Sequence, residues 1–303
     1  MSSLSAAMSA GPVVLDGGLA TELAATGHDL SDHLWSARLL HDRPDAIVDA
    51  HLAFLRAGAQ VVITASYQAT FEGLAQAGFD DEAATTLMSR SVTLARQARQ
   101  RAADAGVGGP RWIAASIGPY GAMLADGSEY RGNYGLTVAE LVRFHRRRMR
   151  VLADAGADVL ALETVPDVAE AEAMIQVVQE LGMPAWLSYT IDGDRTRAGQ
   201  SLGEAFRLAA GVNEVIAVGV NCSAPGDVAP AVAVAAEAGG KPVVVYPNSG
   251  ETWDAAARTW TGEPGWGRQP TDSWIGAGAR LVGGCCRVTP AQIADLATQL
   301  RAT

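Results

Sequence analysis

Lysine is almost missing: Lys241 is the only one in 303 residues. A barrel aldolase needs a lysine amine inside its pocket to form a Schiff base. Lys241 stands just before a predicted strand, at the end away from that pocket, so this chemistry is excluded. Cysteine is scarce as well. Three residues, an odd number, make no disulfide framework, and together with the lack of an export signal they point to a reducing cytoplasm where thiols stay free. Residues 1–11 are small and polar, with neither a basic start nor an apolar centre, and read as a disordered tail. No apolar run approaches the roughly 20 residues of a membrane span. The net charge of -10 argues against a nucleic-acid surface, which needs clustered cations. The one basic cluster, Arg146-Arg147-Arg148 with Arg143 and Arg150, has helical spacing and reads as a solvated face. The glycine fingerprint of a dinucleotide fold is missing too.

What is present is a globular composition, 49% apolar and 18% charged, arranged as an alternation. Short β-rich runs at 13–16, 60–64, 112–116, 158–163, 185–190, 215–221, 242–246 and 279–283 are each followed by a longer stretch, most of them with helical spacing. Pro44 opens one helix, Gly58 closes it, and similar patterns cover 81–103, 137–155, 168–181, 203–210, 230–238 and 290–300. That order predicts a parallel sheet with crossover helices, and eight strands close it into a single-domain (β/α)8 TIM barrel over 12–303. The stretches 119–135 and 248–267 are long, glycine- and aromatic-bearing loops of the type that builds a pocket or a lid.

The working face of such a barrel lies at the carboxyl ends of its strands. Polar residues falling there are Asp16, Thr64 with Ser66 and Tyr67, Ser116, Glu163 with Thr164, Tyr189 with Thr190, Asn221 with Cys222, Asn248, and Cys285 with Cys286. The cysteines end strands six and eight, and three thiolates there read as ligands of one zinc ion with a fourth position left for a substrate sulfur. Two other readings stand beside it: small buried hydrophobes, or a vicinal disulfide between Cys285 and Cys286. The five histidines, His28, His33, His41, His51 and His145, fall in helices or early loops and read as structural or exposed. Asp16 and Glu163 either hold a ligand or cap the following helices. The glycines of Asp16-Gly17-Gly18 either make a tight turn or admit a ligand to the backbone.

These residues resemble the homocysteine S-methyltransferase family, in Asp16-Gly17-Gly18-Leu19, Thr64-Ala65-Ser66-Tyr67, Glu163-Thr164-Val165-Pro166, Gly219-Val220-Asn221-Cys222 and Gly283-Gly284-Cys285-Cys286. Two loop segments, 116–130 and 246–251, resemble the branch that takes its methyl group from S-methylmethionine. The resemblance implies Zn2+ on Cys222, Cys285 and Cys286, with Asp16 and Glu163 at the amino-acid end of homocysteine. The expected activity is methyl transfer from a sulfonium, S-methylmethionine or S-adenosylmethionine, to homocysteine, forming methionine. Asn221 is expected to orient the zinc-bound strand end, and Gly17 and Asn248 to face substrate. Tyr67, Tyr120, Tyr130 and Trp253 are candidates to face the sulfonium by cation–π attraction. Selenocysteine or selenohomocysteine as acceptor, a betaine donor, and a non-enzymatic zinc or redox-thiol barrel are the alternatives. One barrel takes up the whole chain, leaving no module for cobalamin or folate and no evident obligate protein partner.

Overall fold

The computed structural model describes residues 3–30, 34, 36–254, 259–262, 265 and 271–302, and the side chains of 36, 252–260 and 302 lie outside that description. Eight parallel strands carry the architecture: β1 (Val13–Val14), β2 (Val61–Ile63), β3 (Trp112–Ile117), β4 (Val159–Val165), β5 (Ala185–Tyr189), β6 (Val215–Asn221), β7 (Val243–Tyr246) and β8 (Ala279–Val282). Each pairs with its neighbour in sequence, and β1 pairs with β8. Between β1 and β2, Leu15 bridges Val61 and the Gln60 N–H donates to Val14 O at 2.8 Å, which closes the ring. The expected TIM barrel is the observed fold.

Side chains alternate across each strand, so the barrel has two apolar layers. Val13, Leu15, Val61, Trp112, Ala114, Val159, Ala161, Trp186, Ala217, Val244, Tyr246 and Leu281 pack inside the ring. Their strand neighbours Val62, Ile113, Leu160, Leu187, Val218, Val245 and Val282 face outward and meet the helices. Continuing the inner parity upward places Ser116, Glu163, Ser188 and Asn221 above that inner layer, all of them buried. Gly219 belongs to the same inward set, and a Cβ there would lie 1.8 Å from Val244 O.

Three expectations need correction. Residues Leu4–Ala10 form a helix, capped where Ser3 Oγ accepts the Ala6 N–H at 3.2 Å, and so are no disordered tail. Leu4 and Met8, one helical turn apart, join the inner cluster beside Val13, Trp112 and Val159, so this helix plugs the amino end of the barrel. Arg148 belongs to no solvated face: it is 1% exposed and donates to Gly118 O at 2.6 Å, while Arg146 and Arg147 pair with Glu180 and Asp81. The helix after β6 begins at Pro225, ahead of the expected 230, because Pro225 sits in the first turn where a missing N–H costs nothing. Lys241 lies before β7 and bonds Val212 O at 2.9 Å, at the amino end.

Candidate active site

At the carboxyl mouth the backbone turns sharply at the ends of β4 and β6. Thr164 (φ 58°) and Cys222 (φ 47°) adopt the left-handed region that branched and bulky residues avoid. Asn221 ties these turns together. Its Oδ1 accepts the Thr164 N–H at 2.7 Å and the Ser188 hydroxyl at 2.8 Å, and its Nδ2 donates to Thr164 Oγ1 at 2.8 Å. Asn221 thus ties the ends of β4, β5 and β6 together.

The sulfurs of Cys222, Cys285 and Cys286 lie within 4.8 Å of one another, the arrangement the strand count predicted. Cys222 and Cys285 are joined as a disulfide with Cα atoms 5.6 Å apart, and Cys286 is a free thiol. The vicinal alternative is corrected, since the Cys285 and Cys286 sulfurs are 3.9 Å apart. That spacing suits two ligands of one tetrahedral ion, whose sulfurs stand about 3.8 Å apart at metal–sulfur bonds near 2.3 Å. Three soft donors converging from two strand ends fit a thiophilic metal such as zinc once the disulfide is reduced.

The backbone around the sulfurs is fully engaged. Cys286 N–H donates to Asn248 Oδ1 at 3.2 Å, Cys285 N–H to Pro247 O at 2.8 Å, and Cys222 N–H to Tyr246 O at 3.2 Å. Asn248 therefore helps hold the Cys286 backbone in place. Gly17 is closely packed: a Cβ would meet Val288 O at 2.6 Å and the Phe54 ring at 2.8 Å.

Two buried carboxylates complete the floor. Asp16 Oδ2 accepts the Ile63 N–H at 2.8 Å, while its Oδ1 is buried without a partner. Burial holds the Asp16 pKa well above the carboxylate range against that hydrogen bond, with the charge of Glu163 adding to the rise. Glu163 takes hydrogen bonds from Ser116 Oγ and from the Tyr246 hydroxyl, and burial pushes its pKa up to about 7. A buried carboxyl oxygen without a partner is costly, and a hydrogen-bond donor on a ligand would offset that cost. The Tyr67 phenol bonds Thr164 and carries a raised pKa from burial first and then from the charges of Tyr130 and Glu129. Gly118 lets that ring lie flat on the β3 loop, because a Cβ would be 2.7 Å from it.

Of the remaining candidates, Tyr120 packs against Tyr134 and Phe144 with ring centroids 5.2 and 4.9 Å away, outside the mouth. Tyr189 faces the outer layer, where its hydroxyl bonds Ala205 O at 3.0 Å. The side chain of Trp253 lies outside the described residues. Sequence reasoning missed Ser188 and Tyr246, which the inward parity of Trp186 and Val244 would have found, and Glu129, which sits in a loop without periodicity.

The comparisons with known proteins agree with this geometry. The family described as homocysteine S-methyltransferase matches residues 13–300. A homocysteine S-methyltransferase of Escherichia coli is 46% identical over 290 residues, 94% of each chain. A selenocysteine methyltransferase of Astragalus bisulcatus is 43% identical over 300 residues, 91% of this chain and 89% of its own. The metallated form of the Escherichia coli homocysteine methyltransferase MmuM superposes with a TM-score of 0.85 at 42% identity, over 95% of this chain and 96% of that one. Its oxidised form gives 0.86 at 43% identity over the same shares. With a barrel, a sulfur trio at its mouth and a match over nearly the whole length, the chain belongs to the homocysteine S-methyltransferase family.

Proposed function

We propose that this protein transfers a methyl group from a sulfonium donor, S-methylmethionine or S-adenosylmethionine, to the thiol of L-homocysteine, forming methionine. The observation that supports it most directly is the meeting of Cys222, Cys285 and Cys286 within 4.8 Å beside the buried carboxylates Asp16 and Glu163. Zn2+ held by the three cysteines would lower the pKa of the acceptor thiol, so that a nucleophilic sulfur exists at neutral pH.

The chain's own residues bind and orient. Asp16 Oδ1 and Glu163 receive the ammonium group of homocysteine, which supplies the donor that Asp16 Oδ1 lacks. Asn221, Asn248 and the backbone of β6 and β8 hold the sulfurs in place. Transfer breaks one sulfur–methyl bond of the donor, whose electron pair stays on the departing thioether, and makes one bond to the acceptor sulfur, whose proton leaves for solvent. No general acid is needed, because the leaving group is neutral. Opposite charges cancel as the methyl moves, which a water-poor pocket favours.

The similarity to the Astragalus bisulcatus protein named selenocysteine methyltransferase favours a second acceptor, a selenol, at the same site. Reaction in a reducing compartment such as the cytoplasm suits the cysteines, and the barrel, with the helix Leu4–Ala10 at its amino end, acts without an obligate protein partner. The test incubates reduced, zinc-loaded protein with homocysteine or selenocysteine and each donor, with and without chelator, and measures methylated product. Methionine from a sulfonium, lost on chelation, is the expected result; methyl transfer only from a folate donor would sink it.

A further inference from the structure

The loop after β3 brings another carboxylate to the mouth. Glu129 lies in the short 3-10 turn Ser128–Tyr130, locked where Asp126 Oδ1 accepts the Ser128 N–H at 2.9 Å. The turn presses on the helix Tyr120–Leu124 so closely that a Cβ on Gly121 would meet Glu129 N at 2.4 Å. Glu129 is 8% exposed, and its Oε2 is buried with no hydrogen-bond partner. The adjacent cation, Arg131, pairs with Asp126 at 3.4 Å and only partly offsets the burial that raises the Glu129 pKa. Tyr67 packs on Gly118 and Glu129 on Gly121, so ring and carboxylate flank the same segment after β3, and the Arg197 guanidinium covers one side of the Tyr130 ring with its carbon 5.9 Å from the centroid. A rigid, buried, unpartnered carboxylate is costly unless a cation comes to it.

We propose that Glu129 determines the specificity for the methyl donor: its carboxylate, with the rings of Tyr67 and Tyr130, holds the donor's positive charge and selects a sulfonium over the neutral thioether that transfer leaves behind. This rests on the methyl-transfer reading above and adds the residue that recognises the donor. Asp16 and Glu163 are engaged by the acceptor, so donor and acceptor each have their own anionic contact. When the sulfur–methyl bond breaks, the electron pair neutralises the sulfonium, the attraction to Glu129 falls, and the thioether leaves more readily. Because the positive charge is already fading in the transition state, the carboxylate contributes more to donor binding than to the chemical step.

Glu129→Gln keeps shape and removes charge. In the zinc-loaded enzyme the KM for S-methylmethionine is expected to rise about 10- to 100-fold, the range of a lost charge-assisted contact, with a smaller change in kcat. The KM for homocysteine should stay within about twofold, since its contacts remain. Calorimetry on the same protein should show S-methylmethionine binding more tightly than methionine in the wild type, with the preference collapsing in the variant. Glu129→Asp, which restores the charge, should recover most of it, and decides the matter if Glu129→Gln folds poorly. An unchanged donor KM and preference, an equal loss for homocysteine, or no difference between Gln and Asp would overturn the role of Glu129 while leaving the methyl-transfer reading intact. A wild type that makes no methionine from any sulfonium would remove both.

Discussion

Asn221 and Thr164 exchange two hydrogen bonds between the ends of β6 and β4, at 2.7 and 2.8 Å, and both ends carry left-handed backbone. One amide thus holds the turn that presents Cys222 and the turn that follows Glu163. Asn221→Ala leaves the buried Thr164 N–H without an acceptor, which costs about 1–3 kcal/mol. The expected outcome is a lower thermal midpoint together with reduced zinc occupancy, measured by metal analysis on refolded protein. Full occupancy with unaltered stability would show that the turns stand without it.

The disulfide between Cys222 and Cys285 removes two of three ligands, so oxidised protein is expected to hold little zinc. Thiol reductant followed by zinc should restore about one ion per chain, the complement of a single tetrahedral site. Cys286→Ser should prevent that restoration, because the third sulfur is the one free in the oxidised chain. Metal analysis before and after reduction, alongside thiol titration, reads both. Zinc restored in full by the Cys286→Ser variant would contradict the assignment of the ligands.

Glu163→Gln should raise the KM for homocysteine about 10- to 100-fold, since a charge-assisted hydrogen bond contributes about 1.5–3 kcal/mol. The S-methylmethionine KM should move little, in contrast to the pattern expected for Glu129→Gln. Steady-state kinetics with each substrate varied separates the two carboxylates. Equal effects on both substrates would mean that Glu163 shapes the pocket as a whole.

The barrel was legible because parallel strands buried on both faces leave short apolar runs, and because helices between them keep their own period. Cys222, Cys285 and Cys286 were legible through scarcity, being the only cysteines and standing at two strand ends. The pairing of Cys222 with Cys285 was not, since it depends on the spatial approach of β6 and β8 ends and on redox state. The helix Leu4–Ala10 escaped because its apolar signal is two residues, Leu4 and Met8, in a small polar stretch. Inward and outward parity was underused: it assigns Ser188 to the mouth and Tyr189 to the outer layer without any structure.

A second helix-borne contact fixes the β3 loop from behind. Glu170 Oε1 accepts the Tyr120 N–H at 2.5 Å and bonds His145 Nε2 at 2.9 Å, with His145 and Glu170 both fully buried. Glu170→Ala strands that ring nitrogen and the loop amide, so a loss of about 2–4 kcal/mol is expected from two buried groups. Because the loop carries Tyr130, the donor KM should rise in the same variant while zinc occupancy holds. Chemical denaturation, donor kinetics and metal analysis read the three effects, and a destabilised variant with an unchanged donor KM would confine Glu170 to a structural role.

His51 offers a pH test that is independent of the site. It lies in the helix Pro44–Ala57, fully buried, with neither ring nitrogen partnered, and burial lowers its pKa from 6.5 to about 4. A base whose folded pKa is depressed binds more protons unfolded, so its neutral form favours the fold at high pH and stability falls as pH drops from about 6.5 towards 4. The full loss is about 3 kcal/mol at 1.36 kcal/mol per pH unit. Asp16 and Glu163, whose pKa values are raised, act in the opposite direction as pH falls, so the wild-type profile alone mixes the two signs. His51→Leu cancels them by subtraction. The variant is expected to be at least as stable as the wild type at pH 7, having lost two unpaired polar atoms, and to lose less stability between pH 7 and 5. Parallel denaturation curves for the two proteins would refute this burial argument if the variant and the wild type fell by the same amount.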